Sequence, residues 1–442
     1  MQKNGITKLL GDTFIYGLSG VISSFIGVFL IPVYAHYFNP SEYGIISLLT
    51  SLQVLLTIFV VFGMDNSFSV WFYDNQSKEG RQKSVSVWVF FSFSISIIVF
   101  LLLLAFAKPG ATYILGDSKY YLFFIYLGVS LCFTSLQKVV IMRYRLQLKP
   151  LKTVLFSLLT TLLAIGLNIF FVVVLHTGMV GIYYALMITG AATLLLSIYI
   201  LWEDIHFKLF DFAELKKMIK FSFPLLAAAL VMWLMGSATP YFIKLLILDN
   251  AEVGLYQMGA SIANVMGLAT FAFFQAYTPY ALSIQHDTDA RQKYAQFFLY
   301  YIYVGMTLAL ITAMVAPIIL KVFTTSKYFD SKVIIGILAF NVVIGGISQI
   351  ASIGNLLAKK NRSYFRASVF AGVITLAGFL LLIPLIGKTG AALAMLVGNV
   401  GNSVFLIIAV QKSYKIPYDF KKIIVFSILT LLLFGLFCYI LY

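Results

Sequence analysis

Thirteen long apolar segments separated by short polar breaks dominate this sequence. Each is about 20 residues or longer, the length that an α-helix needs to cross the hydrocarbon core of a bilayer. The chain has 61% apolar and 11% charged residues. This composition excludes an ordinary soluble domain, because the core of one soluble domain could not bury so much apolar surface. The sequence therefore predicts an all-α integral membrane protein with 12 or 13 transmembrane helices. We predict these helices over 13–37, 44–72, 85–107, 120–142, 154–175, 180–202, 221–248, 254–283, 297–320, 333–358, 367–386, 391–410 and 423–442.

The basic residues are unevenly divided between alternate loops. Of the 31 lysines and arginines, 24 lie on the side of the N-terminus, six lie on the opposite side, and Lys244 lies within a predicted helix. By the positive-inside rule, this bias places the N-terminus in the cytoplasm. We expect a multi-pass protein of the cell (inner, cytoplasmic) membrane, and topology explains the formal net charge of +15 without a nucleic-acid partner.

Three short motifs recur at a fixed offset of 210 residues. The stretch 39–44 recurs at 249–254, Ser51 recurs as Ser261, and Arg-Gln-Lys at 81–83 recurs at 291–293. A repeat of six helices gives both copies the same orientation, so we expect two pseudo-symmetric six-helix bundles around a central cavity. The predicted domains are an N-terminal bundle over 1–202, a cytoplasmic amphipathic linker over 203–220, a C-terminal bundle over 221–410 and an additional hydrophobic helix over 411–442.

The same recurring stretches carry signals for helix starts. Asn39 is followed by Pro40 and, three residues later, by Glu42, which is the pattern of a capped helix with proline at its first position. Asp249 and Glu252 repeat it 210 residues later. We therefore predict that these polar residues hold the ends of helices.

The layout and several motifs resemble a known family of transporters. The motifs are Ile-Pro-Val-Tyr at 31–34, Pro-Ser-Glu-Tyr-Gly at 40–44, Phe-Ser-Phe-Pro at 221–224, Tyr-Phe-Ile at 241–243, Glu-Val-Gly-Leu-Tyr at 252–256 and Gln-Ala-Tyr-Thr-Pro at 275–279. In their order they resemble the polysaccharide flippases of the multidrug/oligosaccharidyl-lipid/polysaccharide exporter superfamily, over essentially the whole chain. This resemblance implies a transporter that flips polyprenyl-(pyro)phosphate-linked oligosaccharide from the inner to the outer leaflet by alternating access, for cell-surface polysaccharide export.

Lys138 falls at the inner end of the predicted span 120–142, and Lys244 is the one other cation inside a predicted span. A charge at membrane depth costs at least about 2.5 kcal/mol unless it reaches water or a partner. Two readings follow: the side chain snorkels to the nearby outer interface, or it contacts an anionic group of the substrate in the cavity. Tyr241, from the motif at 241–243, is a further predicted substrate contact.

Four polar or amphipathic side chains fall near the middle of predicted helices or at repeat-related positions: Trp233, Asn264, Gln275 and Gln349. Buried amides need hydrogen-bond partners. They either join neighbouring helices or contact a sugar or an isoprenoid chain, and we include them among the predicted substrate-binding residues.

Three further charged residues lie near the inner ends of helices. Lys138 and Arg143 are candidate contacts for a phosphate headgroup, since an arginine fork suits phosphate and lysine offers a point charge. The alternative is that they only set topology. Asp65 is a candidate ion-coupling residue for Na⁺ or H⁺, because the membrane potential supplies about 2.3 kcal/mol per charge per 100 mV.

The sequence carries no sign of catalytic chemistry. Its four histidines lack the spacing of a metal site, and it has no Walker loop for ATP. We expect no enzyme activity, no metal and no cofactor beyond a coupled Na⁺ or H⁺. The expected partners are the lipid-linked oligosaccharide, membrane lipids and the polysaccharide assembly machinery. The alternatives are a cation-coupled drug antiporter of the same superfamily and an integral-membrane glycan polymerase or ligase, which would need a larger outer loop than about a dozen residues.

Overall fold

The computed structural model describes residues 28–75, 77–357 and 362–441, and these residues contain helices and turns but no β-strand. Most of the predicted first helix, 13–37, lies outside the described residues. The helices of eight or more residues are α1 (Leu30–Tyr37), α2 (Pro40–Val61), α3 (Met64–Asp74), α4 (Lys78–Ala105), α5 (Tyr121–Thr134), α6 (Gln137–Leu146), α7 (Pro150–Ile169), α8 (Met179–Leu201), α9 (Phe212–Gly236), α10 (Thr239–Ile247), α11 (Asn250–Ala263), α12 (Val265–Ser283), α13 (Ala290–Phe323), α14 (Lys332–Ala351), α15 (Arg362–Ser413) and α16 (Phe420–Leu441).

The predicted membrane-spanning helices are confirmed wherever the structure describes them. Within the described residues, eleven helical segments are long and apolar enough to cross a membrane. They correspond to twelve of the predicted helices, because α15 contains two of them joined at a kink. At the kink, Ile386 leaves helical geometry and Gly387 has a φ of 62°. The protein is therefore an all-α, multi-pass membrane protein.

Four of the predicted helices are divided in the structure into two helices of eight or more residues: 120–142 at residues 135–136, 221–248 at residues 237–238, and also 44–72 and 254–283. Between α2 and α3, Phe62 and Gly63 both adopt positive φ angles, of 54° and 69°. The left-handed region is strained for a phenylalanine and unstrained for a glycine. Between α11 and α12, a turn at Asn264 interrupts the helix. The predicted continuous helices over 44–72 and 254–283 are thus each built from two pieces, which hydropathy alone does not reveal.

The chain divides into two compact units. The first unit is Ile45–Trp233, and the second combines residues up to Gly44 with Leu234–Tyr442. The division into six-helix bundles, a linker and an extra helix, which the 210-residue repeat predicts, stays a prediction.

The core of the first unit lies where α3, α4, α6 and the start of α9 meet. Phe68 and Trp88 are almost fully buried there, with ring centroids 5.1 Å apart. Hydroxyl groups join the helices: the Ser67 hydroxyl donates to the Met218 carbonyl oxygen, and the Ser222 hydroxyl donates to the carbonyl oxygen of Gly63 at the α2–α3 break. The break is therefore held by packing and by hydrogen bonds that satisfy its freed carbonyl group.

In the second unit, α14 is the central helix, because 78% of the residues in its most apolar stretch are buried. Small residues allow its neighbours to approach closely: at Gly346, an added Cβ would overlap the Tyr301 side chain. By contrast, 6% of the residues in the most apolar stretch of α16, the last predicted helix, are buried. It packs against the unit through the pairs Tyr303–Phe426 and Phe340–Phe434, whose ring centroids lie 4.5 and 5.4 Å apart. Its remaining surface suits contact with lipid chains.

The predicted linker 203–220 is partly helical. It contains a short turn at Phe207–Leu209, and its second half is the start of α9 rather than a separate amphipathic helix.

Ion pairs attach this segment to α4. Lys83 of α4 pairs with Asp211 at 2.5 Å and with the buried Glu214 at 3.6 Å. The Ser84 hydroxyl donates to Glu214 at 2.6 Å. The hydrogen bond from Lys83 lowers the pKa of the Asp211 carboxyl, so this ion pair persists at neutral pH and is lost only as the pH falls through that lowered value.

We expect Glu214→Ala to lower the free energy of unfolding by about 2 kcal/mol, because it removes the acceptor of a charge-assisted hydrogen bond and leaves Ser84 and Lys83 with fewer partners. The thermal unfolding midpoint of the purified protein measures this. Lys119→Ala is the control: its pair with Asp117 is exposed, so the midpoint should stay almost unchanged. Equal midpoints for both variants would contradict the structural role of Glu214.

Candidate functional site

A cavity in the second unit lies between α1 and the junction of α11 with α12. Its volume is about 600 Å³. Tyr34 and Tyr43 line it from one part of the chain, and Ser261, Asn264 and Phe271 line it from the other. No charged side chain occurs among the described residues of its lining. Aliphatic side chains complete the lining. Together with the aromatic rings, hydroxyls and amide they suit a neutral ligand that has both apolar faces and hydrogen-bonding groups.

Tyr43 is the most firmly held residue of the cavity. It is 5% exposed, and its hydroxyl lies 3.1 Å from the hydroxyl of Ser261. Its ring lies between Tyr34 and Tyr328, with centroids 6.0 and 6.1 Å away. The Tyr328 hydroxyl in turn donates to the Phe38 carbonyl oxygen at 2.9 Å. The aromatic wall is thus fixed before any ligand arrives, which lowers the entropic cost of binding.

Asn264 reaches the cavity because the helix breaks at this residue. It is exposed, and its carbonyl oxygen accepts a hydrogen bond from the Gly267 amide at 2.8 Å, so α12 starts with a tight turn. An amide offers both a donor and an acceptor. Asn264 is the one of the nine predicted site residues that lines this cavity within the described part of the chain.

Next to the cavity, α2 and α11 cross at two glycines of the repeat. A Cβ added at Gly44 would overlap the carbonyl oxygen of Asn250, and one added at Gly254 would overlap that of Pro40. The two main chains are therefore in direct contact, as small residues allow at helix crossings in membranes. The recurrence of glycine at offset 210 has its physical explanation in this crossing.

The predicted helix caps flank the crossing. Asn39 and Glu42 form a reciprocal capping box. The main-chain N–H of Asn39 donates to the Glu42 carboxylate at 2.9 Å, and the main-chain N–H of Glu42 donates to the side-chain oxygen of Asn39 at 3.0 Å. The Asp249 side chain accepts from the Ala251 amide. The Asn39–Glu42 cap is confirmed, and in the second copy Asp249 caps its helix as predicted.

Glu252 has a role that the sequence did not predict. Its carboxylate pairs with Lys388 at 2.7 Å, and both side chains are mostly buried. The positive φ of Gly387 allows the chain to turn at this point. The pair joins α11 to the kink of α15.

Lys244 and Tyr241 lie on α10, away from the cavity lining. The Lys244 ammonium donates to the carbonyl oxygen of Leu248, 3.3 Å away, just beyond the C-terminal end of the helix. A cation at this end is favoured by the helix dipole. This geometry is the one that the snorkelling reading expects. Tyr241 is half-buried.

Arg143 and Lys138 differ in their surroundings. Arg143 forms an ion pair with Asp204, and both side chains are largely buried. Burial raises the pKa of the Asp204 carboxyl, and the Arg143 guanidinium opposes that rise. Lys138 is exposed. The Arg143 guanidinium is therefore already engaged by a carboxylate, whereas Lys138 is accessible.

The remaining predicted residues are dispersed. Asp65 lies in the first turn of α3, directly after the Phe62–Gly63 break, and accepts a hydrogen bond from the Asn66 side chain at 3.2 Å. The Trp233 indole donates to the Ser51 carbonyl oxygen at 3.1 Å, so it joins two helices. Gln275 is half-buried on α12, and Gln349 is exposed on α14. Within the described residues, no group of three or more His, Cys, Asp or Glu side chains is placed to hold a metal ion.

Ten of the eleven described residues that line the cavity were not among the predicted site residues, and four of these ten carry rings or hydroxyls: Tyr34, Tyr43, Ser261 and Phe271. Signals for three of these four were present in the sequence. Ser261 is the repeat partner of Ser51, and Tyr34 and Tyr43 belong to the motifs at 31–34 and 40–44. Phe271 had no signal, because one phenylalanine among 41 carries little information.

Comparison with known proteins places the chain in a family. The family described as "Polysaccharide biosynthesis protein" matches residues 33–283 and 272–441. The chain belongs to this polysaccharide biosynthesis protein family. The resemblance to polysaccharide flippases drawn from the sequence motifs is thereby confirmed. A comparison with curated protein sequences gives no match.

Solved structures share the fold of this family member at low sequence identity. The structure described as lipid II flippase MurJ in an inward closed conformation is 14% identical with a TM-score of 0.77, over 97% of this chain and 93% of that chain. An inward-facing multidrug resistance MATE transporter of the MOP superfamily is 16% identical with a TM-score of 0.68, over 90% and 94%. An outward-facing transporter of the same description is 15% identical with a TM-score of 0.62, over 91% and 95%. These similarities confirm the predicted transporter fold.

Proposed function

We propose that this member of the polysaccharide biosynthesis protein family flips a polyprenyl-(pyro)phosphate-linked oligosaccharide from the inner to the outer leaflet by alternating access. The observation that carries the proposal is the uncharged cavity, where Tyr34, Tyr43, Ser261 and Asn264 offer rings, hydroxyls and an amide in a multi-pass membrane protein. Sugars present hydroxyls around apolar ring faces, so such a lining matches their chemistry. The similarity to a flippase of lipid II supports the same conclusion.

The physical need for such a protein follows from solvation. Moving an isolated charged headgroup through low dielectric costs up to tens of kcal/mol, so a lipid-linked glycan does not cross a bilayer unaided at a useful rate. A polar path through the protein lets the head cross while the lipid tail stays in the bilayer. Within this proposal the N-terminus is cytoplasmic, the chain works with polysaccharide assembly enzymes, and the chain itself performs no catalysis.

A second candidate function is export of a small molecule or drug, because two MATE structures share the fold. Cationic drugs would favour acidic residues in the binding cavity. The described lining of the cavity contains tyrosine, serine and asparagine but no acidic residue. The cavity therefore favours the glycan over a cation.

Reconstitution tests the proposal directly. The purified chain is placed in liposomes whose inner leaflet contains a short polyprenyl-pyrophosphate-linked oligosaccharide, and an external lectin measures the sugar that reaches the outer leaflet. We expect lectin binding to rise with time in the presence of the chain and to stay at the lipid-only level without it. Efflux of an organic cation with no movement of the glycan would support the second candidate instead.

We propose that Asp65 couples transport to Na⁺ or H⁺. Its carboxylate follows the Phe62–Gly63 break, in a first helical turn whose amide groups are oriented toward anions. Asp65→Asn removes the charge and keeps the shape, so we expect the glycan flux to lose its dependence on an imposed Na⁺ or pH gradient. Asp74→Asn, at the exposed end of the same helix, is the control. An unchanged gradient dependence in Asp65→Asn would exclude this role.

For Lys244, the contact with Leu248 predicts a small effect on transport. We expect Lys244→Ala and Lys244→Arg to keep the glycan flux within about twofold of the wild type, since the ammonium serves a helix end and surface interactions of this kind are worth about 0.3–1 kcal/mol. Loss of flux in both variants would instead favour contact with an anionic part of the substrate.

A further inference from the structure

A polar groove lies at the end of the first unit where α4 begins. Its volume is about 730 Å³, and residues from α4 and from the segment 205–209 line it. Lys78 and Gln82 contribute from α4, and His206, Phe207 and Lys208 contribute from the segment. Glu79 is the carboxylate of the lining. The groove is thus separate from the glycan cavity, which belongs to the second unit.

The segment that forms one wall of the groove is firmly attached to α4. The Gln82 side chain donates to the Glu203 carbonyl oxygen at 2.6 Å, and the His206 amide donates to the Ser86 hydroxyl at 2.9 Å. The Ser86 hydroxyl in turn donates to the Asp204 carbonyl oxygen at 3.2 Å. The groove is therefore preformed.

Large aromatic side chains in and beside the segment 205–209 are exposed. Phe207 is 82% exposed, Trp202 is 73% exposed and Phe212 is 71% exposed. They lie between the spans Met179–Leu201 and Phe212–Gly236, at the ends of both. Exposed aromatic residues at the ends of spanning helices sit at the level of lipid headgroups. These exposed rings therefore suit contact with the headgroup layer of a membrane.

The charge around the groove is positive. Lys78 and Lys208 lie in its lining against the single carboxylate of Glu79. Lys216, Lys217 and Lys220 are exposed along the first turns of α9, which follow the segment. Each basic residue close to a membrane surface adds about 1 kcal/mol to the attraction of anionic lipid. Lys78 on α4 and Lys208 on the segment both attract a phosphate group.

We propose that this groove binds the phosphate of an anionic phospholipid headgroup from the adjacent leaflet, while Phe207 and Trp202 rest among the upper parts of the lipid chains. The exposed aromatic rim favours a membrane lipid over free phosphate, because a soluble anion gains nothing from Phe207. The proposal does not depend on which substrate the chain transports.

Titration with phosphatidylglycerol tests this site. Native mass spectrometry of the full chain in neutral detergent measures the affinity for the first lipid bound. We expect the Lys78→Gln/Lys208→Gln variant to bind about thirtyfold more weakly, since two contributions of about 1 kcal/mol each are lost. Both side chains are exposed, so the variant is expected to fold, and its thermal midpoint checks this. The matched control is Lys321→Gln/Lys327→Gln, which removes two exposed lysines elsewhere and should bind as the wild type does.

A second variant distinguishes the sources of phosphate. Phe207→Ser is expected to weaken phosphatidylglycerol binding severalfold, and millimolar inorganic phosphate is expected to leave the bound lipid in place. The proposal is overturned if the two double-lysine variants bind equally well. Equal displacement of the lipid by inorganic phosphate from Phe207→Ser and from the wild type would also overturn it. So would binding of a polyprenyl phosphate in this groove without binding of phosphatidylglycerol.

Discussion

Gly44→Ala and Gly254→Ala are each expected to lower the glycan flux at least fivefold. A methyl group at either position would overlap a main-chain carbonyl oxygen of the facing helix, so α2 and α11 would have to move apart. Overpacking of this kind costs about 1–3 kcal/mol. If the crossing closes in one state of the transport cycle and opens in the other, that cost shifts the populations of the states roughly fivefold to 150-fold.

Labelling separates this shift from simple misfolding. In a chain whose Cys132 and Cys438 are replaced by alanine, Ser261→Cys reports access to the cavity beside the crossing. We expect a membrane-impermeant maleimide to label this cysteine faster in the Gly44→Ala background. Gly166→Ala is the matched control, because no atom lies within 4 Å of the added Cβ. Unchanged flux and unchanged labelling in both crossing variants would contradict a role for the crossing in transport.

The second large effect is expected at the cavity. In Tyr34→Ala/Asn264→Ala, the lining loses an aromatic ring and an amide. An aromatic contact contributes about 0.5–1.5 kcal/mol and a hydrogen bond contributes about 0.5–1.5 kcal/mol. We therefore expect the substrate concentration that gives half-maximal flux to rise roughly tenfold, with the thermal midpoint little changed.

The matched control for the cavity variant carries the same kinds of change at other sites. Tyr113→Ala/Gln285→Ala removes an exposed tyrosine and an exposed amide that do not line the cavity. Its half-maximal concentration should equal that of the wild type. If both double variants transport equally well, the glycan does not use this cavity.

The sequence was sufficient to predict the fold because hydropathy acts over whole helices. A spanning helix must satisfy its own backbone in lipid, so long apolar runs have almost one structural solution. The repeat at offset 210 likewise marked the crossing of Gly44 and Gly254 and both helix caps. These features depend on local pattern, and local pattern is what a sequence displays.

The site was harder to predict because it depends on which helix faces which. A place within an apolar segment selected Trp233, which in the structure joins helices by donating to Ser51. Charge at the inner end of a helix selected Arg143, which pairs with Asp204. Neither partner could be inferred from spacing, since each lies far away along the chain. Asn264 was found because an amide in an apolar run is conspicuous, whereas Tyr34 and Tyr43 resemble any other tyrosine of an apolar segment.

The most direct test of the flippase proposal measures which leaflet holds the lipid-linked oligosaccharide in cells. Cells that lack the chain are compared with cells that carry it and with cells that carry Gly44→Ala, using a membrane-impermeant reagent that modifies sugars on the outer surface only. The proposal predicts that the lipid-linked glycan accumulates on the inner leaflet without the chain and with the variant, and returns to the outer leaflet with the wild type. An identical leaflet distribution and amount in all three would contradict it.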